Sequence, residues 1–177
     1  VNFYSGPDGA DWAFQRLLDW YRYLDERDRG GRAQLGRCES ADGAVFIPAF
    51  HGLIERFDST PGALGAAEVR GLARVALCAG RVRRAPNHPE VGAAHTLAAA
   101  LAKGDGGAPM SELRFRRLLE GADQDDALKQ LRRAIDLLGG NVSLRDVAAA
   151  AFDFNPGLRK RWAFDYFRNL PKKQETK

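Results

Sequence analysis

The sequence predicts an all-α protein, built as two small packed helical bundles. Three observations predict it. Apolar residues recur at spacings of three and four along nearly the whole 177-residue chain. No stretch alternates apolar and polar residues as a half-buried strand does. Clusters of Gly, Pro, Asp and Ser break the pattern at intervals that suit helices.

The first helix follows from Phe14, Leu17, Leu18, Tyr21 and Leu24, and Asp28-Arg29-Gly30-Gly31 is expected to end it. A short segment at Gln34–Arg37 leads to a second pattern of Phe46, Ile47, Phe50, Leu53, Ile54 and Phe57. Pro48 fits the first turn there, where a missing N–H costs nothing. After the turn Ser59-Thr60-Pro61-Gly62, a third helix places Val69, Leu72, Ala73, Ala76 and Leu77 on one side and runs out near Arg84. A fourth, Ala-rich helix is expected from Glu90 to Lys103, its small residues allowing close approach.

Gly104-Asp105-Gly106-Gly107-Ala108-Pro109 is the one convincing linker, so we divide the chain into an N-terminal bundle, 1–105, and a C-terminal basic bundle, 108–177. Beyond it, Ser111 is the N-cap of a helix, with Met110 and Phe115 placed as a hydrophobic staple. Leu128, Leu131, Ala134, Ile135 and Leu138 define the clearest amphipathic helix, ended by Gly139-Gly140. Ser143 with Asp146 reads as a capping box before the stripe Leu144, Val147, Ala148, Ala151 and Phe152. Asn155-Pro156 then start a last helix with Leu158, Trp162 and Tyr166 inward, and Pro171 stops it.

Hydrophobic residues make up 45% of the chain, enough for a core, although each half alone would be marginal. Two cysteines, Cys38 and Cys78, make no disulfide framework, and Cys78 reads as a small buried hydrophobe. Val1 to Arg16 lacks the apolar run of a signal peptide. The longest mostly apolar stretch, Ala93 to Ala102, is about half a membrane span. A cytoplasmic protein without membrane contact is expected.

Catalytic constellations are sparse. His51, His88 and His95 have no ligand spacing with each other or with a cysteine, so neither a metal site nor a cofactor is expected. Asp123, Asp125 and Asp126 would suit a divalent cation in a nuclease, but carboxylates at a helix start also complement the exposed N–H groups and the helix dipole. The second reading is the stronger, because the best amphipathic helix begins there, and no catalytic residue is assigned. Trp12, Trp20, Tyr21 and Trp162 lie in helix patterns and are expected in the core, so no base-stacking platform is read from them.

The basic residues say more. Residues 1–107 hold 13 Lys+Arg against 13 Asp+Glu, whereas residues 108–177 hold 14 against 10. The whole net charge of +4 therefore sits in the last seventy residues, which points to a polyanion. A helix presents cations to a phosphate backbone when they stand three, four or seven apart. Arg114 and Arg117 do so, as do Lys129 with Arg132 and Arg133, and Arg161 with Arg168; Arg159 and Lys160 adjoin the last pair. Lys129, Arg132 and Arg133 lie opposite the apolar stripe and are expected exposed, with Arg132 nearer the boundary, where its stem packs on a neighbouring helix. Asp125, Asp126 and Asp136 would partly neutralise that helix, leaving an ordinary charged face as the alternative.

Ala33-Gln34-Leu35-Gly36-Arg37 followed by Ile47-Pro48-Ala49-Phe50 resembles the N-terminal part of the CasB family, the small subunit of type I-E CRISPR Cascade. Ser111-Glu112-Leu113-Arg114-Phe115 with Leu118-Leu119, then Gln130-Leu131-Arg132-Arg133, then Arg161-Trp162-Ala163-Phe164-Asp165-Tyr166-Phe167 resemble its later segments in the same order. The resemblance spans Leu17 to Phe167. The chain departs from it at Gly36 and Leu113, where the family often has a second basic residue, and at Phe154, where an indole is common; only Arg37 and Arg114 carry over at the first two places. The resemblance implies a helical, non-catalytic subunit. It implies two copies lying head to tail along the inside of a crescent-shaped complex, touching its backbone and large subunits. It implies contact with guide RNA and target DNA, holding the guide–target duplex and displaced strand while a recruited helicase-nuclease cuts. R-loop formation is a near-balanced exchange of duplexes, which backbone contacts without sequence readout can tip. Two other readings remain open on the residues alone: a protein–protein adaptor without nucleic acid, and a metal-dependent nuclease.

Overall fold

A computed structural model of the chain describes residues 1, 3, 12–58, 64–83, 96–104, 107–121 and 123–171. Its described residues form ten α-helices and no strand, with an isolated bridge between Gly104 and Gly107. Helices α1 (Trp12–Glu26), α2 (Arg29–Arg37), α3 (Ala41–Ala44), α4 (Pro48–Phe57), α5 (Ala66–Ala79) and α6 (Leu97–Ala102) precede the glycine-rich segment. Helices α7 (Glu112–Leu119), α8 (Gln124–Leu137), α9 (Leu144–Phe152) and α10 (Pro156–Asn169) follow it.

Helix α5 is the hub. Every residue from Gly71 to Ala79 is buried, and α2, α3, α4, α8 and α9 all pack on it. A helix that is apolar all round belongs inside. Its one internal cation, Arg74, is 8% exposed and donates from Nε to Ala151 O (2.9 Å) and from Nη2 to Phe152 O (2.7 Å). Those are end carbonyls of α9, which have no partner within their own helix. Burial pushes the Arg74 guanidinium below its ordinary value, and it pushes the neighbouring Cys78 thiol up to about 12, so Cys78 stays a protonated hydrophobe as the sequence implies. Gly71 faces α9 so closely that a Cβ there would stand 2.7 Å from the Phe152 ring.

The N-terminal helices correct two expectations. Helix α1 ends just before Asp28, as expected, but Asp28-Arg29-Gly30-Gly31 is the start of a second helix and not a break: Asp28 caps α2 by accepting from Gly31 N–H at 2.8 Å. Gly31 is a packing glycine in α2's first turn, where a Cβ would sit 2.6 Å from Ala49 Cβ on α4. Trp12 is 48% exposed rather than core, its ring tilted towards Phe57 and Arg16 lying over it. Trp20 is fully buried and donates to Ala49 O (2.9 Å), and Tyr21 donates to Val82 O (2.8 Å). Of the fourth expected helix, α6 forms the described part; residues 84–95, with His88 and His95, lie outside the described residues.

The expected linker closes as a tight reversal. Gly104 N–H donates to Gly107 O (2.9 Å) and Gly107 N–H to Gly104 O (3.2 Å), with Gly107 at φ 115°. Helix α6, before this turn, packs on α10, after it, and one hydrophobic cluster includes residues of both halves. In the second half Ser111 stands at the N-cap of α7 but makes no side-chain capping bond, while the later caps follow the sequence. Asp123 caps α8, Asn155 caps α10, and Pro156 is in its first turn. The capping box at Ser143 is only half made: Ser143 accepts from Asp146 N–H, but the Asp146 carboxylate accepts from Leu97 N–H (2.9 Å) at the start of α6.

Candidate nucleic-acid interface

Three basic helices are joined through α7. Its inner residues, Phe115 and Leu118, are buried, and Phe115 stacks on Tyr166 of α10 with centroids 3.8 Å apart. Tyr166 also donates to Met110 O (2.5 Å), and α7 packs on α8 from its other side. Arg114 and Arg117 are exposed on the outward face of α7. Arg116 beside them is engaged with Glu112 (2.5 Å), a surface pair one helical turn apart.

On α8 the apolar stripe Leu128, Leu131 and Ile135 is buried, while Lys129 and Arg133 are exposed one turn apart. Asp125, Asp126 and Asp136 form no ion pair with either cation among the described residues. Asp123 accepts from Asp125 N–H (3.0 Å) and Asp126 N–H (2.8 Å), the geometry of a helix N-cap. Asp136 pairs with Arg81. Lys129 and Arg133 make no ion pair among the described residues. Those residues also hold no cluster of three or more His, Cys, Asp or Glu that could bind a metal.

Arg132 corrects the expectation of exposure. It is 7% exposed and donates from Nη2 to Gly36 O (3.1 Å) and from Nη1 to Glu39 O (3.3 Å). Burial, and then the nearby Arg81 charge, hold its guanidinium below the ordinary arginine value. The stem packs inward as its boundary position implies, but the charged head follows it and satisfies carbonyls at the end of α2. This clamp sets the C-terminal turn of α2, with Arg37 exposed on it, beside α8.

Arg159 is likewise turned inward. Its Nε donates to Phe154 O and its Nη1 to Leu119 O, both at 2.8 Å, and its guanidinium lies over the Phe154 ring. It ties the first turn of α10 to the end of α7. Lys160 and Arg161, the next two residues, are exposed. Of the nine sequence-derived candidates, Arg132 and Arg159 therefore position helices. Arg37, Arg114, Arg117, Lys129, Arg133, Lys160 and Arg161 present charge outward.

Sequence reasoning passed over one residue here. Phe164 is 77% exposed on α10. Its signal is its phase: two residues from Trp162, it is about 200° around the helix from the inward stripe.

The family model for CRISPR-associated protein Cse2 matches residues 31–167. No curated protein matches the chain by sequence. Among solved structures, a chain from the crystal structure of E. coli Cascade bound to a PAM-containing dsDNA target is similar in fold, with a TM-score of 0.65 and 22% identity. That match covers 86% of this chain and 94% of the other. The resemblance read from the scattered segments, the helical architecture and the family match over most of the chain agree: this chain belongs to the CRISPR-associated protein Cse2 (CasB) family.

Proposed function

We propose that the chain is the non-catalytic small subunit of a type I-E Cascade complex. In this reading it holds the backbones of guide RNA and target DNA without reading sequence, and so stabilises the R-loop. The observation that carries the proposal is the set of exposed cations on packed helices, above all Lys129 and Arg133, which make no ion pair among the described residues, held on a frame that Arg132 and Arg159 fix. Rigid cations at matched heights suit phosphate and carry no base code. The Asp123 carboxylate caps α8 by accepting from Asp125 N–H and Asp126 N–H, which favours a scaffold over a metal-dependent nuclease. The partners are the backbone and large subunits, a second copy of the chain, guide RNA and target DNA, in the cytoplasm. No described helix is long and apolar enough to cross a membrane.

A protein-only adaptor is the second reading, and one feature favours it: Val45 and Phe46, 40% and 85% exposed, form an apolar knob between α3 and α4. The two readings differ in composition of the purified assembly. Affinity purification of tagged chain co-expressed with the other Cascade subunits and a guide is expected to yield one complex containing guide RNA. That complex is expected to retain target DNA. Assembly with the protein subunits but unchanged target binding when this chain is omitted would favour the adaptor.

A further inference from the structure

The outward face of α10 carries an aromatic ring among its cations. Lys160, Phe164 and Arg168 are all exposed and stand four residues apart, forming one slowly turning line along the helix. At the helical rise the two cations are about 12 Å apart along the axis, with the ring midway. Phe167 flanks this line and is held rigidly, edge-on to Phe115 (6.4 Å, 89°) and to Tyr166 (5.4 Å, 89°). Phe164 makes no ring contact among the described residues and is 77% exposed. The line runs on from Arg168 into a shallow cleft shared with the Gly104–Gly107 turn, where Lys103 adds a further exposed cation.

A lone exposed Phe needs no explanation; here Phe164 and Phe167 expose two neighbouring rings between cations, which suits an occupant with an apolar part. Flanking cations require that this occupant also be anionic on both sides of its apolar part. A nucleotide in a single strand meets both demands: every base has a π-face, and phosphates lie on either side of it. A duplex does not, because its bases are already stacked on each other. We infer that Phe164 is a stacking platform for a base of single-stranded nucleic acid, with Lys160 and Arg168 holding the phosphates before and after it. This rests on the nucleic-acid reading above and adds to it a mode of contact.

The test compares full-length wild type with Phe164→Ala, Phe164→Trp and Arg168→Ala, using fluorescent oligothymidylate and a duplex of equal length. Phe164→Ala is expected to weaken oligothymidylate binding about fivefold to a hundredfold, the range for loss of one base–aromatic stack. Its duplex affinity, salt slope and melting temperature should stay at wild-type values, since the ring is exposed and uncharged. Phe164→Trp should restore the affinity. Arg168→Ala should instead lower the salt slope by about 0.7, one single-strand phosphate contact. Unchanged oligothymidylate binding by Phe164→Ala overturns the stacking role and leaves the backbone reading standing. So does a change confined to self-association in sedimentation, which would make a second copy the occupant. Wild-type protein that binds neither oligonucleotide at low salt overturns both.

Discussion

Arg132 and Arg133 are adjacent arginines with opposite duties. Arg133 stands in solvent on the outer face of α8, while Arg132 sends its guanidinium under the end of α2 to two carbonyls. The difference is one residue of phase, about 100° of rotation, at the edge of an apolar stripe. We expect Arg132→Ala to destabilise the protein by about 1.5–3 kcal/mol, the scale of hydrogen bonds to a charged group. Arg132→Lys should not rescue it, since a single ammonium lacks the planar fork that reaches both carbonyls. Arg133→Ala should leave stability within about 0.5 kcal/mol of wild type and weaken nucleic-acid binding. Denaturant unfolding of the three variants beside wild type checks the stability claims; equal destabilisation by Arg132→Ala and Arg133→Ala would refute the division. At this scale the sequence located the cations but not their partners. Nothing in Lys129–Arg133 reveals that Gly36 and Glu39 arrive nearby with carbonyls to fill, because that meeting is made by tertiary packing 96 and 93 residues away.

At the scale of elements, periodicity and caps were largely legible. The inward stripes of α1, α8, α9 and α10 lie where the three-and-four spacing places them, because a helix that buries one face must repeat at that period; the α4 pattern holds from Ile47 on, but Phe46, expected in it, stands before the helix and is 85% exposed. What the local signals missed was glycine used for closeness rather than for turning. Gly30-Gly31 read as a stop, yet Gly31 lets α2 approach α4. Gly139 and Gly140 show both uses in one motif. Gly139 N–H donates to Asp136 O and Gly140 N–H to Ile135 O, each at 2.9 Å, with φ of 63° and 78°. This is a Schellman closure of α8. A Cβ on Gly139 would have room, its nearest neighbour being Asn141 Nδ2 at 3.9 Å, whereas one on Gly140 would stand 2.7 Å from Arg81 O and 2.9 Å from Arg83 N. Gly139→Ala should thus cost about 1–2 kcal/mol, the left-handed backbone penalty alone. Gly140→Ala should cost clearly more, since it also parts α8 from the end of α5, where Arg83 N–H donates to Gly140 O (2.9 Å). Thermal or denaturant unfolding orders the two; equal effects would show that the junction with α5 adds nothing at Gly140.

For the whole molecule, composition located the charge correctly but could not show how it is displayed. Residues 108–177 carry the net excess, and the structure turns Arg132, Arg145 and Arg159 inward onto backbone carbonyls while leaving Arg114, Arg117, Lys129, Arg133, Lys160 and Arg161 exposed. Arg37, from the first half, is exposed at the end of α2, which Arg132 ties to α8. The division of the sequence at the glycine-rich segment remains a useful description of charge, and we propose that it also marks two structural units, joined by α5 on α9 and α6 on α10. The central claim is that exposed cations on this frame hold nucleic-acid backbone. It is tested most directly by target-DNA affinity measured across salt concentration, for complex assembled with wild-type chain and with Lys129→Ala/Arg133→Ala. Log affinity should fall with log salt less steeply for the double variant, by about one unit of slope for each phosphate no longer held, and to the same extent on every matched target sequence. Superimposable salt curves for the two complexes, with assembly intact, would contradict the claim.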